Sequence, residues 1–199
     1  GFWFDIDNRN ILIQDLVAVQ NLLGLFLEIS RGPFWVEDSL LAMDLESPMR
    51  LTDANDVTLR RCILYGGPES ALTRMYYRRQ IGSDSMARIF GLDDPPIIFD
   101  APGDLRIEQC LIANPNGPVF LWGAKPHFLN KMYRKLYRGE GNVFHANDKA
   151  AFAMGMGDED PVVDLDIWIS KTAEHHQAQW IDPRFDGDAY SFRPPEGSE

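Results

Sequence analysis

The chain has 199 residues, of which 45% are hydrophobic and 25% are charged. Both values are typical of a globular protein and exclude extensive disorder and low complexity. Lys and Arg total 19 against 30 Asp and Glu, which gives a net charge of −11. This balance argues against a general nucleic-acid coat and against constitutive binding to anionic membrane, because both depend on positive charge.

The first third of the chain is predicted to contain a short strand and a central helix. Residues 2–6 form an apolar run typical of a strand or of a buried entry to the domain. A helix is predicted over 14–30, ending before Gly32-Pro33, because apolar residues recur there at helical spacing. These residues are Leu16, Val19, Leu22, Leu23, Phe26 and Ile29. Polar and charged side chains interrupt the stretch, which indicates a core helix rather than a membrane span.

The remainder is predicted to alternate between strands and helices. A strand over 57–65 is followed by helices over 68–79 and 83–90. Three strand-like runs within 97–122, separated by proline- and glycine-rich turns, predict an antiparallel meander. A helix over 125–138, a strand over 162–170 and a short helix over 172–180 complete the series.

The predicted fold class is therefore α+β, with a central, mainly antiparallel sheet packed by about four helices. A single domain is expected over 1–181, with a polar, turn-rich extension over 182–199. We find no internal repeat in the pattern of residues.

Three features favour a cytoplasmic location. Cys62 and Cys110 both lie in apolar, strand-like runs and are interpreted as buried free thiols. The chain also contains no Asn-X-Ser/Thr sequon, and its most apolar stretch lacks the basic region and cleavage site of a signal peptide.

The leading functional hypothesis is an acidic protein-binding domain, such as an inhibitor, immunity-type or adaptor subunit. Residues 1–149 carry a net charge of −3, whereas residues 150–199 carry −8. An acidic face of this kind steers a basic partner protein into contact. The predicted contacts are three acidic residues and three aromatic residues of the last quarter: Asp158, Glu159, Asp160, Trp180, Phe185 and Tyr190.

One alternative is a metal-dependent hydrolase or transferase. On a strand, Asp164 and Asp166 would point to the same side and could share a divalent cation. The adjacent His175 and His176 could be brought back to the same site by a turn.

A second alternative is a site for phosphate or nucleic acid on the predicted helix over 125–138. Its apolar residues spread over one half of the helix, and four basic side chains lie opposite. Those four are Lys131, Arg134, Lys135 and Arg138.

Overall fold

The chain winds through successive coils, each of which contributes one strand to each of three sheets. The computed structural model describes residues 1–28, 30, 32–52, 54, 56–66, 73–76, 105–115, 117–123, 137–146, 148, 152–155, 162–171, 173–174 and 178–181. Through these residues six coils can be followed, and the arrangement is a parallel β-helix, a solenoid in which each coil contacts its neighbours.

The first three coils are regular. Coil 1 comprises β1 (Phe2–Asp5), β2 (Ile11–Gln14) and β3 (Val17–Val19). Coil 2 comprises β4 (Leu23–Glu28), β5 (Phe34–Glu37) and β6 (Leu40–Asp44). Coil 3 comprises β7 (Ser47–Thr52), β8 (Val57–Arg60) and β9 (Ile63–Gly66).

The last three coils contain longer connections. Coil 4 comprises β10 (Thr73–Tyr76), β11 (Leu105–Glu108) and β12 (Leu111–Asn114). Coil 5 comprises β13 (Phe120–Gly123), β14 (Tyr137–Glu140) and β15 (Val143–Ala146). Coil 6 comprises β16 (Ala153–Gly155), β17 (Val162–Val163), α1 (Leu165–Lys171), β18 (Ala173–Glu174) and β19 (Gln179–Trp180).

In coils 1 to 5 the first strand belongs to sheet A, the second to sheet B and the third to sheet C. In coil 6, β16 and β17 belong to sheet A, β18 to sheet B and β19 to sheet C. Every pairing between coils is parallel, and β17 alone among the described strands pairs antiparallel, with β16. The connection from sheet A to sheet B spans 6–10, 29–33 and 53–56 in coils 1 to 3, but 77–104 in coil 4. Between the described strands, the longest connections therefore join sheet A to sheet B, from coil 4 onward.

The register between coils shows a sequence repeat. Ile11 pairs with Phe34 and Phe34 pairs with Val57, and each step covers 23 residues. The following partners, Leu105 and Tyr137, come after longer intervals. The prediction from sequence that the chain contains no repeat is therefore wrong. The 23-residue period is regular only through coil 3, and the longer intervals after it make the repeat hard to see in the sequence.

Apolar side chains stack in the interior, each on its counterpart in the next coil. In sheet C this column is Ala18, Leu41, Leu64, Ile112 and Phe144, all almost completely buried. At the C-terminal end, Trp168 of α1 enters the interior and stacks on Phe120, with ring centroids 4.8 Å apart. Tyr137 contacts the same indole edge to face at 5.0 Å. These contacts explain why a helix is accommodated in the last coil.

A column of polar side chains runs along the corner between sheets B and C. Each corner places one residue at positive φ, and these residues are Asp15, Asp38, Arg61, Gln109 and Gly141. The residues that follow them face inward and bond from coil to coil. The Leu16 amide donates to Ser39 Oγ at 3.1 Å, the Cys62 amide to Cys110 Sγ at 3.4 Å, and the Cys110 amide to Asn142 Oδ1 at 3.0 Å.

The structure contradicts the predicted α+β class, because the sheets are parallel and the described residues contain one short helix. The helix predicted over 14–30 is wrong, since these residues form the end of β2, then β3 and β4. The apolar residues of 14–30 fit both the helical and the strand period, and the structure has strands. Leu25 and Leu27 are fully buried, whereas Leu22, which the helix would bury, is 63% exposed.

Other predicted elements change in the same way. The strand over 57–65 is confirmed as β8 and β9, divided by a corner. The strands between 105 and 122 are also present, but they belong to three different sheets rather than to an antiparallel meander. The helix predicted over 68–79 is wrong at β10, and residues 77–100 and 182–199 lie outside the described part of the chain.

Asn142 offers a test of the polar column. Its Nδ2 donates to Ile107 O at 2.7 Å and its Oδ1 accepts from the Cys110 amide. Asn142→Ala should lower the free energy of unfolding by about 2–4 kcal/mol, because it leaves a buried amide and a buried carbonyl unsatisfied. Denaturant unfolding would measure this loss, with Leu12→Ala as an exposed control expected to change stability by less than about 0.5 kcal/mol. Equal effects of the two substitutions would contradict the structural role of the column.

Candidate binding surface

A row of stacked side chains lies on the outer face of sheet A in the first three coils. The register aligns Trp3 of β1 with Phe26 of β4, and Phe26 with Arg50 of β7. The rings of Trp3 and Phe26 stack with centroids 5.7 Å apart and planes 12° apart. The Arg50 guanidinium carbon lies 4.9 Å from the centroid of Phe26, within the range of a cation–π contact. We call these three residues the aromatic–cation row.

The strand period explains why the row faces outward. Successive side chains of a strand point to opposite faces, so the neighbours of Phe26 in β4 point inward. Those neighbours, Leu25 and Leu27, are fully buried, and they fix the strand against the interior. Trp3 is 63% exposed. A large apolar ring is thus presented to solvent by a strand whose other face is packed.

Two carboxylates lie beside the row on the same face. Asp5 follows Trp3 by two residues, Glu28 follows Phe26 by two residues, and the register pairs Asp5 with Glu28. Neither carboxylate forms an ion pair with any residue that the structure describes. Arg50, in contrast, contacts Glu46 at 3.3 Å. The surface therefore combines an exposed indole with two carboxylates on one face of sheet A.

Five charged residues at the corner of sheets B and C pair with one another. Arg60 contacts Glu108 at 2.8 Å and Glu37 at 3.6 Å. Arg61 bonds Asp38 at 2.6 Å, and this hydrogen bond holds the pKa of the Asp38 carboxyl below its usual range.

The comparisons give no match. No family model, no curated protein and no solved structure corresponds to the chain. Among the described residues, no helix has the length and apolar character needed to cross a membrane.

Most of the site residues predicted from sequence lie outside the described part of the chain. They comprise three of the four basic residues (Lys131, Arg134 and Lys135), the acidic run Asp158, Glu159 and Asp160, both histidines (His175 and His176) and two aromatic residues, Phe185 and Tyr190. Their predicted roles stay predictions. Asp164, Asp166, Arg138 and Trp180 are described.

Asp164 and Asp166 do not share one face of a strand. The strand predicted over 162–170 ends at Val163, and α1 begins at Leu165. Asp164 caps this helix, since its Oδ1 accepts a hydrogen bond from the Ile167 amide at 2.7 Å. Asp166 is exposed in the first turn, where a negative charge interacts favourably with the helix dipole. No group of three or more potential metal-ligating side chains occurs among the described residues.

Arg138 and Trp180 occupy strands. Arg138 is exposed on β14, in register with Arg106 of β11, so the helix predicted over 125–138 is wrong at its end. Trp180 pairs in register with Phe144 and packs against the core, and its ring centroid lies 5.5 Å from that of His145.

The cysteines are buried, as the sequence predicts, and neither is in a disulfide. The Cys62 thiol donates to Val36 O at 3.2 Å and the Cys110 thiol to Glu108 O at 3.3 Å. The hydrogen bond with Cys62 and burial both raise the pKa of the Cys110 thiol. A buried thiol held in its protonated form is a poor nucleophile.

The residues of the aromatic–cation row are missed from sequence because residues 14–30 are interpreted as a helix. Trp3 and Phe26 are separated by 23 residues, the same interval that relates Ile11 to Phe34. A search for outward residues at this interval would have placed Trp3 beside Phe26.

Asp44, the last residue of β6 in coil 2, is a fully buried acid. Its Oδ1 accepts from the Asn21 amide at 2.6 Å, while its Oδ2 has no hydrogen-bond partner among the described residues. A Cβ on Gly24 would lie 2.6 Å from that Oδ2 and 2.5 Å from Pro48 O, so only glycine fits beside it. Burial raises the pKa of Asp44 from 3.8 to about 6.

The raised pKa of Asp44 predicts a pH dependence of stability. Between pH 4 and pH 6 the folded state retains a proton that the unfolded state has lost, so the free energy of unfolding should fall as pH rises. The decrease should be at most about 3 kcal/mol, since one pKa unit corresponds to about 1.4 kcal/mol. Asp44→Asn keeps the acceptor for Asn21 and should remove this slope and stabilise the protein at pH 8. Denaturant unfolding across this range tests both, and an unchanged slope in the variant would assign the effect to other groups.

The N-terminal cap of α1 gives a second test, which distinguishes a capping role of Asp164 from metal binding by the same residue. Asp164→Ala should lower stability by about 1 kcal/mol, whereas Asp164→Asn, which can still cap, should change it little. Thermal unfolding with and without EDTA would measure both variants. A loss of stability on adding EDTA to the unmodified chain, abolished in Asp164→Asn, would contradict the purely structural role.

Proposed function

We propose that this solenoid is an acidic recognition module that binds a basic partner protein through the outer face of sheet A. The observation that carries the proposal is the aromatic–cation row on the outer face of sheet A. Trp and Arg are the residue types most enriched among those that contribute the largest share of protein–protein binding energy. A module of this kind acts by association, as inhibitor, immunity-type and adaptor subunits do.

The rigidity of sheet A supports a role in recognition. Trp3, Phe26 and Arg50 are held by three paired strands and by contacts with one another. Side chains that are already ordered lose little conformational entropy when a partner binds. The row is thus suited to act as a preformed anchor.

The charge of the molecule supports a basic partner. The net charge of −11 attracts positively charged proteins over long distances and raises their association rate. At short range, Asp5 and Glu28 provide carboxylates beside the row that can pair with basic side chains. Long-range attraction and local pairing both favour the same class of ligand.

The proposal can be tested with peptides selected on the immobilised chain from a random displayed library. Selected peptides should be enriched in Lys and Arg, and Trp3→Ala should weaken their binding by at least about tenfold, or about 1.4 kcal/mol. Leu12→Ala, which removes an equally exposed apolar side chain from sheet B, should leave binding unchanged.

Rising salt concentration should also weaken binding, because the attraction between exposed charges is screened. Selected peptides that bind Trp3→Ala as tightly as the unmodified chain would contradict the proposed surface. Binding that is indifferent to salt would contradict the basic character of the partner.

A further inference from the structure

Cys62 and Cys110 lie against each other in the middle of the solenoid. Arg60 pairs with Glu108 two residues before them, and the residues directly after them also pair, so the cysteines are opposite one another in coils 3 and 4. Neighbouring strands are about 4.8 Å apart, a Cα–Cα distance that a disulfide can span. The Cys62 amide lies 3.4 Å from Cys110 Sγ, and coils 2 and 5 flank the pair. The two thiols are therefore positioned for a covalent bond with little movement of the backbone.

The two thiols differ in their tendency to lose a proton. A hydrogen bond from the Cys110 thiol lowers the pKa of Cys62 below its usual range. The same hydrogen bond and burial raise the pKa of Cys110. Because the thiolate is the form of cysteine that reacts with oxidants, Cys62 is the nucleophile of the pair. Cys110 stays protonated beside it and is the thiol that can react with an oxidised Cys62.

The pair lies directly beneath the surface at the corner of sheets B and C. Both cysteines are 1% exposed, but each follows a corner residue at positive φ, Arg61 or Gln109. Arg61 and Gln109 are themselves exposed. A peroxide molecule is little larger than water, so its path to the sulfur atoms passes only this single layer of the corner.

We infer that Cys62 and Cys110 are a redox-sensitive pair that a peroxide converts into a disulfide between coils 3 and 4. The Cys62 thiolate attacks one peroxide oxygen, and the O–O bond breaks to leave a sulfenic acid on Cys62 and a hydroxide that takes up a proton. Cys110 then attacks the Cys62 sulfur, and its proton leaves with the displaced hydroxide as water. Two thiols are oxidised to one disulfide, and one peroxide is reduced to two water molecules.

The disulfide would change how the two halves of the solenoid are held together. It closes a ring from Cys62 to Cys110 that includes the long connection over 77–104. The bond thus fixes the coil at which the regular half of the solenoid meets the half with longer connections, and a reducing thiol reverses it. The inference is independent of the binding surface proposed above, because neither cysteine lies on sheet A.

The test exposes the reduced full chain to hydrogen peroxide and alkylates the remaining thiols after denaturation. Mass spectrometry should find both cysteines protected, the chain lighter by two hydrogen atoms, and a pair of peptides joined through Cys62 and Cys110. Dithiothreitol should restore both thiols. The oxidised chain should unfold at a temperature higher by roughly 5 °C or more, because the bond closes a long loop of the unfolded chain.

Cys110→Ser and Cys62→Ser are matched variants, since a hydroxyl keeps the hydrogen bonding of the thiol that it replaces. In Cys110→Ser, oxidation of Cys62 should stop at the sulfenic acid, which dimedone traps. In Cys62→Ser, Cys110 should react with peroxide at least about tenfold more slowly, because its thiol is held in the protonated form. Equal oxidation rates in the two variants would contradict the assignment of Cys62 as the nucleophile.

Three outcomes would overturn the inference. Both thiols could still be alkylated after treatment of the folded chain with peroxide, which would show that the pair does not respond to it. The disulfide could form only after unfolding in urea, which would show that the native contact does not promote it. The oxidised chain could unfold at a lower temperature than the reduced chain, which would show that the bond does not fit the native backbone.

Discussion

The structure depends on the parallel, in-register hydrogen bonding of each coil to the next. This pairing sets neighbouring coils about 4.8 Å apart and places every side chain directly against its counterpart one coil away. Each position of the coil is therefore repeated as a column through the molecule. Apolar columns form the interior, the column of Ser39, Cys62, Cys110 and Asn142 supplies bonds at one corner, and the aromatic–cation row is the same arrangement on the outside.

The columns constrain what each residue can be. Gly24 is required because the buried carboxyl of Asp44 and the carbonyl of Pro48 occupy the space that a side chain would need. Cys62 and Cys110 hold positions that Ser39 and Asn142 fill in other coils, which indicates that their thiols serve as small hydrogen-bonding groups. The acidic Glu37 and Glu108 flank Arg60 because the three lie one above another. Most charged residues of this corner thus stabilise stacking, and the carboxylates of Asp5 and Glu28 differ in lacking such partners among the described residues.

The two halves of the solenoid differ in regularity. Coils 1 to 3 have short connections at every corner, so the outer face of sheet A is continuous there and carries the aromatic–cation row. From coil 4 onward the connections between sheets A and B lengthen, and in the last coil this connection contains α1. Trp168 of α1 fills the interior beside Phe120 and Tyr137, which gives that end of the described core an aromatic filling different from the aliphatic columns before it.

The sequence alone determined local properties of the chain. It predicted strands at 57–65 and between 105 and 122, and it predicted that both cysteines are buried. These features depend on neighbouring residues, and their alternation of apolar and polar side chains is visible in short windows. Over 14–30 the apolar residues fit both a helical and a strand period, and only the packing of Leu25 and Leu27 into the interior selects the strand. The local pattern around Asp164 and Asp166 also fits a strand, and the capping role of Asp164 depends on α1, whose Trp168 packs into the interior. Only the tertiary structure decided that successive strands lie parallel in neighbouring coils, because backbone hydrogen bonds between residues 23 or more positions apart leave no mark in a local pattern. For the same reason only the fold brought Trp3, Phe26 and Arg50 into one row and set Asp5 beside Glu28.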